Sequence, residues 1–387
     1  MTHPFSGAAT ASFYVAELTP GVTPASPAWK PLRNTGGMPA VTRDTAASNE
    51  LGNGREVSFI RVNNEQAGGE YAIELSQSSQ DDLLAAALTS DWVAGTNTAG
   101  LSIAVNATAK TFTRTTGDFT TLVTVGDLIQ FKNLAGGNAQ PFIATTVTPL
   151  VITGAAIPDG VLTTAAAATT ALVVGDSLGV GNLCKTVSIL TWFSGKCGTS
   201  DAWIITRGVE FTGFSIELAV NAAVTGSFPM IGMSQEILTA LPSGSTFPAT
   251  FNSKAFASVD VAAYDGSAKL KLVDSFTISN DNGASAQFEL GNRGVAFVER
   301  TTATNTFSMT GKLYDTSMVD KFLKETEVNP VALLLGPSGA MSFSLRKCTL
   351  TSATPEIGGP GSVTLSIEGQ AVGTKTESSL TIQRITY

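Results

Sequence analysis

The sequence predicts a mainly β protein made of two related β-domains, each with one flanking helix, plus a small β-domain inserted into the first. Three observations carry that expectation. Apolar residues recur at every second position through much of the chain, the period of half-buried strands. Only two segments, 79–88 and 317–325, place apolar residues at helical spacing. A set of residues also recurs at one constant offset.

The first eleven residues lack periodicity and read as a loose arm. Phe13 and Val15 alternate with small or polar residues and begin a strand. Pro20, Pro24, Pro27 and Pro31 then impose an extended loop. Residues 42–56 are polar, carry Gly52 and Gly54, and read as a long loop or hairpin tip. Val57 and Phe59, then Tyr71, Ile73 and Leu75, alternate as strands. The helix at 79–88 opens on Ser79 with Asp82 three residues later, a capping-box pattern, and presents Leu83, Leu84, Ala87 and Leu88 on one face. Trp92 is expected beneath its end.

Residues 96–183 differ in composition, with seven charged residues and 18 threonines. Short strands at 127–131, 142–146 and 150–153, separated by turn residues, suggest a small barrel or sandwich. The Ala/Thr tract 163–170 reads as a linker or edge segment. Beyond it, Val209, Phe211, Phe214, Ile216, Leu218 and Val220 alternate, and Pro242–Pro248 marks a boundary.

Arg55, Val57, Phe59, Leu75, Ser79 and Asp82 recur 238 residues later as Arg293, Val295, Phe297, Leu313, Ser317 and Asp320. Each copy carries a Leu-Gly-Asn loop (Leu51–Asn53, Leu290–Asn292), two strands and a capped helix, then a strand pair turning through Gly-Ser. The second helix is expected to bury Val319, Phe322 and Leu323. The division that follows is 1–95 with 184–240 as the first domain, 96–183 as the insertion and 241–387 as the second. The insertion, absent from the second copy, is expected to be dispensable for assembly.

Composition excludes several function classes. Charged residues make up 14% and the net charge is −8, which argues against a general nucleic-acid-binding surface. An acidic or neutral wall would still let DNA slide past without sticking. No apolar run spans a membrane, and no basic n-region precedes an apolar h-region, so folding in a cytoplasm is expected. Cys184, Cys197 and Cys348 are not a disulfide framework. The one histidine is His3, so neither a catalytic triad nor a zinc site is expected, and the lysines after Gly195 and Gly311 lack the earlier glycine of a phosphate loop. Asn280-Asp281-Asn282-Gly283 with Glu289 imitates a calcium loop, but Ile278 stands at the first ligand position. No catalytic residue, cofactor or metal is expected.

The run from Phe13 to Arg33, with Thr19-Pro20-Gly21-Val22-Thr23-Pro24 at its centre, resembles the opening of phage tail tube proteins of long-tailed bacteriophages. Ser48-Asn49-Glu50 with Arg55, Asp81-Asp82-Leu83-Leu84 and Asp320-Lys321-Phe322-Leu323 are similar to later segments of that family. The resemblance implies tail-tube-type β-sandwich domains with a flanking helix. It also implies rings stacked into a tube that conducts DNA, assembled in the host cytoplasm and carried in the virion tail. A long loop from each domain would reach the next ring. Those loops are 43–56, with Arg43, Asp44, Asn49, Glu50, Asn53 and Arg55, and 280–294, with Asn280, Asp281, Asn282, Asn292 and Arg293. The implied partners are further copies of the chain, three per pseudo-six-fold ring, and other tail proteins such as the tape measure and terminator. DNA would pass without specific binding. The insertion would be an immunoglobulin-like or SH3-like module outside the tube. A capsid decoration protein or adhesin is the alternative reading, and a glycan hydrolase a third.

Overall fold

The computed structural model describes residues 4–51, 56–155, 157, 161–195, 200–248, 253–374 and 377–387. His3, Asn53, Arg55 and Cys197 lie outside the described residues.

The protein is mainly β, with two short α-helices among the described residues. The chain opens with β1 (Thr10–Ala16), β2 (Lys30–Leu32), β3 (Ala40–Ala47), β4 (Ile60–Glu74) and α1 (Asp81–Ala87). Next come β5 (Asn97–Asn106), β6 (Thr111–Arg114), β7 (Leu128–Lys132), β8 (Phe142–Val147), β9 (Val151–Ala155) and β10 (Ala165–Val174), which close into a barrel. β11 (Asp176–Gly179) leads out of it. β12 (Val187–Phe193), β13 (Ala202–Phe211), β14 (Gly213–Ala219), β15 (Thr225–Gly232) and β16 (Ser234–Leu238) follow. The second half runs through β17 (Val261–Asp265), β18 (Ala268–Lys269), β19 (Val273–Asp281), β20 (Ser285–Gln287), β21 (Phe297–Glu299), β22 (Thr304–Lys312) and α2 (Ser317–Leu323). It ends with β23 (Pro330–Gly336), β24 (Gly339–Leu345), β25 (Cys348–Glu356), β26 (Thr364–Ala371) and β27 (Leu380–Thr386).

Eight strands form one antiparallel sheet in the order β3-β4-β15-β14-β19-β22-β26-β25. Two further sheets cover one of its faces. The first is β2-β1-β12-β13-β16; the second is β11-β27-β24-β23-β17-β18. The first joins the eight-stranded sheet where the end of β13, beyond Gly208 at φ +62°, turns onto β15. Five pairings of the first half recur in the second. β1·β12, β12·β13, β3·β4, β4·β15 and β14·β15 have the counterparts β17·β23, β23·β24, β19·β22, β22·β26 and β25·β26. The likeness reaches single bonds: the Leu75 N–H donates to Val224 O at 2.8 Å, and the Leu313 N–H, 238 residues on, donates to Val363 O at 2.9 Å.

The core lies between the eight-stranded sheet and its covers, where Tyr71, Ile73, Phe214, Ile216, Phe228, Phe276 and Phe307 meet Ile189, Val209, Phe343 and Ile382. The alternation read from the sequence places most of these residues correctly, although Val57, Phe59 and Val220 are exposed. Leu83, Leu84, Ala87 and Leu88 of the first helical segment are buried as expected, and Trp92 donates its indole N–H to Asp81 O at 3.0 Å.

The second helix departs from expectation. Met318 is its buried residue, Val319 and Phe322 pack at the core margin, and Leu323 is 73% exposed because the helix ends there. Neither helix has a side-chain cap. Ser79 instead bonds to the hydroxyls of Ser76 and Ser253, while Asp82 accepts from Tyr14 and Lys30.

The barrel has its own core, in which Phe112 stacks on Phe142 at 4.5 Å and on Phe131 at 4.9 Å. The Ala/Thr tract expected as a linker or edge segment begins β10: its residues 165–170 pair only with β5, and residues 171–174 beyond it also pair with β7. The barrel does not hang free. Leu128 and Ile143 pack on Tyr264, Val331, Leu333, Ala340 and Ile385, the outer face of the second covering sheet. Gln383 of that sheet accepts the Leu128 N–H at 2.7 Å and donates to Asp127 at 3.1 Å. No helix is long and apolar enough to cross a membrane.

Candidate assembly surfaces

Three surfaces are open for contacts between copies: two arms at one end of the eight-stranded sheet, its outer face, and its two free edges. The long arm is the β3–β4 hairpin. β4 stays in the sheet only from Ala67, opposite Gly232, onward. Its first seven residues run past the sheet, which at ~3.3 Å per residue is a projection of roughly 23 Å. Both faces of this ribbon are open to solvent. Arg43 and Asp44 therefore belong to a strand rather than to the loop expected for 42–56, with Asp44 at a register shift between Arg43 and Thr45. Asn49 and Glu50 sit at the tip, where the Glu50 N–H donates to the Ser48 hydroxyl at 3.2 Å.

The short arm grows from the end of β19 and contains the β20–β21 hairpin. Asn292 lies in its tip, and its side chain accepts the Gly294 N–H at 3.2 Å. Asn280 and Asn282 do not belong to this exposed group. Both are 4% exposed; Asn280 donates to Asn305 at 2.9 Å, and Asn282 donates to the carbonyl of Ala87 at the end of α1. They hold β19 and its following turn inside the chain. Asp281 accepts the Gly283 N–H at 2.8 Å and gathers no second carboxylate. Among the described residues no cluster of three or more His, Cys, Asp or Glu side chains could hold a metal.

The arms meet at a residue that motif reading missed. The Glu65 carboxylate pairs with Arg43 at 3.1 Å and with Arg293 at 3.3 Å, and the Glu65 N–H donates to the carbonyl of Arg293 at 2.9 Å. The short arm thus braces the long one at its base. These pairs are half-exposed, so they add about 0–1 kcal/mol each to folding. Glu65→Lys or Arg293→Glu is expected to leave the melting temperature nearly unchanged while shortening assembled tubes. Melting curves beside negative-stain length distributions check this; unchanged length with a lowered melting temperature would assign the cluster to folding alone.

The outer face of the eight-stranded sheet is polar throughout its centre. One cross-strand row reads Glu74, Thr225, Glu217, Thr277, Ser308, Glu368 and Ser352. The next reads Ala72, Ser227, Ser215, Ser279, Thr306, Gln370 and Thr349, and a third reads Ala219, Ser275, Thr310, Ser366 and Thr354. These rows hold no lysine, no arginine and no aliphatic side chain larger than alanine. Lys312, beyond them, is paired with Asp274 at 3.0 Å.

Neither described cysteine offers chemistry to this surface. Cys348 is buried, which pushes its thiol up to about 12, and Asp265 adds to the shift; Cys184 is exposed.

The family whose description is phage tail tube protein matches residues 7–371. No curated protein matches the chain.

Proposed function

From the premise that this chain belongs to the phage tail tube protein family, as a structural component of the virion tail, we propose that three copies close a ring around a DNA channel. The observation that carries this reading is the junction of β14 with β19 inside the chain. It joins two four-stranded units with matching pairings into one sheet, and it leaves β3 and β25 as free edges. β25 is the counterpart of β14, and β3 the counterpart of β19. The same junction can therefore form between chains, head to tail, until a closed ring results. We read the chain as a duplication, so that three chains supply six similar units. Both halves present their polar rows on the same face, which favours both halves lining the channel over a six-chain ring with one half outside.

The polar rows suit that lining. Their carboxylates repel phosphate, and hydroxyls offer no fixed cation from which counterions would be released. The barrel packs against a covering sheet, so each ring would carry three outer knobs. The arms would make the contacts between rings. Tape measure and terminator proteins are the tail partners this arrangement would meet.

The internal junction also specifies the register of the external one. Ser215 lies opposite Ser279, with their hydroxyls 3.1 Å apart. Ser215 corresponds to Thr354, because both hairpins repeat at an offset of 139: Ser215↔Ser227 becomes Thr354↔Ser366. Ser279 corresponds to Ala40, because Ser279↔Thr306 and Ala40↔Gly68 repeat together. Ala40 of one chain should therefore face Thr354 of the next. With Cys184 and Cys197 changed to Ser, A40C/T354C is expected to give covalent trimers on a non-reducing gel, and S215C/S279C a bond within one chain. Hexamers, or no bond between chains beside a formed S215C/S279C bond, would overturn the three-chain ring.

A further inference from the structure

The two arms share more than position. Both carry a Glu-Leu pair near the tip, Glu50-Leu51 and Glu289-Leu290, within a repeated Glu-Leu-Gly-Asn sequence. Leu51 and Leu290 are fully exposed, at 97% and 104%. An exposed leucine is ordinary on its own. The same exposed Glu-Leu pair on two arms of different length marks a surface meant to be covered.

A cover of fitting chemistry lies at the opposite end of the same strands. Below β14 and β19 a cleft of about 370 Å³ is lined by Leu218, Val220, Val259, Leu270 and Leu272, with Lys269 among them. Val220, Val259 and Leu272 are 53%, 89% and 58% exposed. Lys269 is exposed and makes no ion pair among the described residues. The cleft sits at one end of β19 and the short arm springs from the other, nine residues and roughly 30 Å away. In a stack of rings the arm tips of one ring thus point at the cleft-bearing end of the next.

We propose that the Glu-Leu arm tips of one ring dock in this cleft of a second copy in the adjacent ring, the leucine entering between Val220, Val259 and Leu272 and the glutamate pairing with Lys269. The proposal rests on the stacked-ring reading and names the receiving surface that reading lacks. By the internal correspondence, a related cleft would form between chains near Ile357, the counterpart of Leu218 and itself 78% exposed, so that each tip has a seat.

The test changes only exposed positions. Leu272 has φ +54°, a conformation that aspartate accepts more readily than leucine, so V259D/L272D should fold. Its rings should close as in the parent, judged by the 40–354 disulfide and by native mass spectrometry. Its tubes should be about threefold shorter at equal concentration, because mean length follows the square root of the stacking constant and a tenfold weaker contact corresponds to ~1.4 kcal/mol. L51D/L290D should match it. K269E should also shorten tubes, and E50K or E289K in the same chain should restore length and tell which tip uses this cleft. Tubes of parental length from V259D/L272D, or a K269E defect that neither glutamate change repairs, would overturn the docking. Loss of the 40–354 disulfide would instead fault the ring reading.

Discussion

Replacing residues 97–174 with a short Gly/Ser linker is expected to remove soluble, assembly-competent protein rather than give thinner tubes. The ends of the segment would permit the replacement. The Val174 N–H donates to Thr96 O at 2.8 Å, and Val93 bridges Ser177, so the chain enters and leaves the barrel side by side. The cost lies elsewhere. Val331, Leu333 and Ile385 point out of the second covering sheet and are sealed by Leu128 and Ile143 of the barrel. Each such side chain contributes ~1.5–3 kcal/mol when buried. Exposing three of them gives up an amount comparable with the ~5–15 kcal/mol that holds an ordinary domain together. The same face would become an apolar patch on a sheet, a common route to aggregation. The expected result is insoluble protein, or soluble protein binding a hydrophobic dye. A restoring variant, with Val331, Leu333 and Ile385 changed to Thr in the deletion background, should recover part of the soluble yield. Normal tubes from the simple deletion would show that the barrel is only a decoration, the role its absence from the second half suggests at the level of sequence.

That contrast shows what a sequence exposes and what it hides. Tyr71, Ile73 and Leu75, or Phe214, Ile216 and Leu218, are legible because one face of their strand is buried and the other is not. β3 is not legible: in Ala-Val-Thr-Arg-Asp-Thr-Ala-Ala both faces meet solvent, so no period of two survives and the segment reads as a loop. β10 is hidden for a related reason, since alanine and threonine serve on either face. The serines and threonines of β19 and β22 do alternate, but alternation in one strand says only "solvent"; that the polar face continues across seven strands becomes visible only in the assembled sheet. Glu65 was missed because its partners lie 22 and 228 residues away and become neighbours only when the two halves share a sheet. Conversely, Asn280 and Asn282 read as loop residues because asparagine favours turns. Each side chain had already found a buried partner, a fact that residue type alone does not carry.

Arg384→Ala is expected to be among the most destabilising single changes, because Arg384 ties three distant segments together. It lies on β27, pairs with Asp81 of α1 and with Asp176 of β11 at 3.2 Å, and its guanidinium sits 4.2 Å from the ring centre of Trp92. The Arg384 and Asp81 side chains are only 20% and 13% exposed. Removing one member of such a pair leaves the other charge buried without a partner, at a cost of about 3–5 kcal/mol. Burial already pushes the Asp81 carboxyl above its ordinary range even with Arg384 beside it, and Asp82 pushes in the same direction. Without Arg384 that upward shift grows. A carboxyl whose folded pKa exceeds its unfolded value favours the folded state in acid and loses that contribution as pH rises through the folded pKa. The deficit of R384A relative to the parent should therefore be largest at neutral pH and shrink as pH falls through the raised Asp81 pKa. Asp81→Asn in the same chain should restore much of the loss at neutral pH, since no charge is then left buried. Urea denaturation of the three proteins at several pH values checks this; a deficit independent of pH would mean that lost packing on Trp92, and not the stranded carboxylate, carries the effect. The consequence for assembly follows from where the tie runs. α1 packs on β13 and β14, while β27 belongs to the sheet covering the second half, so Arg384 helps set the angle between the two four-stranded units. A closed ring needs that angle to be the same in every chain. R384A should therefore form fewer covalent trimers through the 40–354 disulfide, even at temperatures where each chain remains folded.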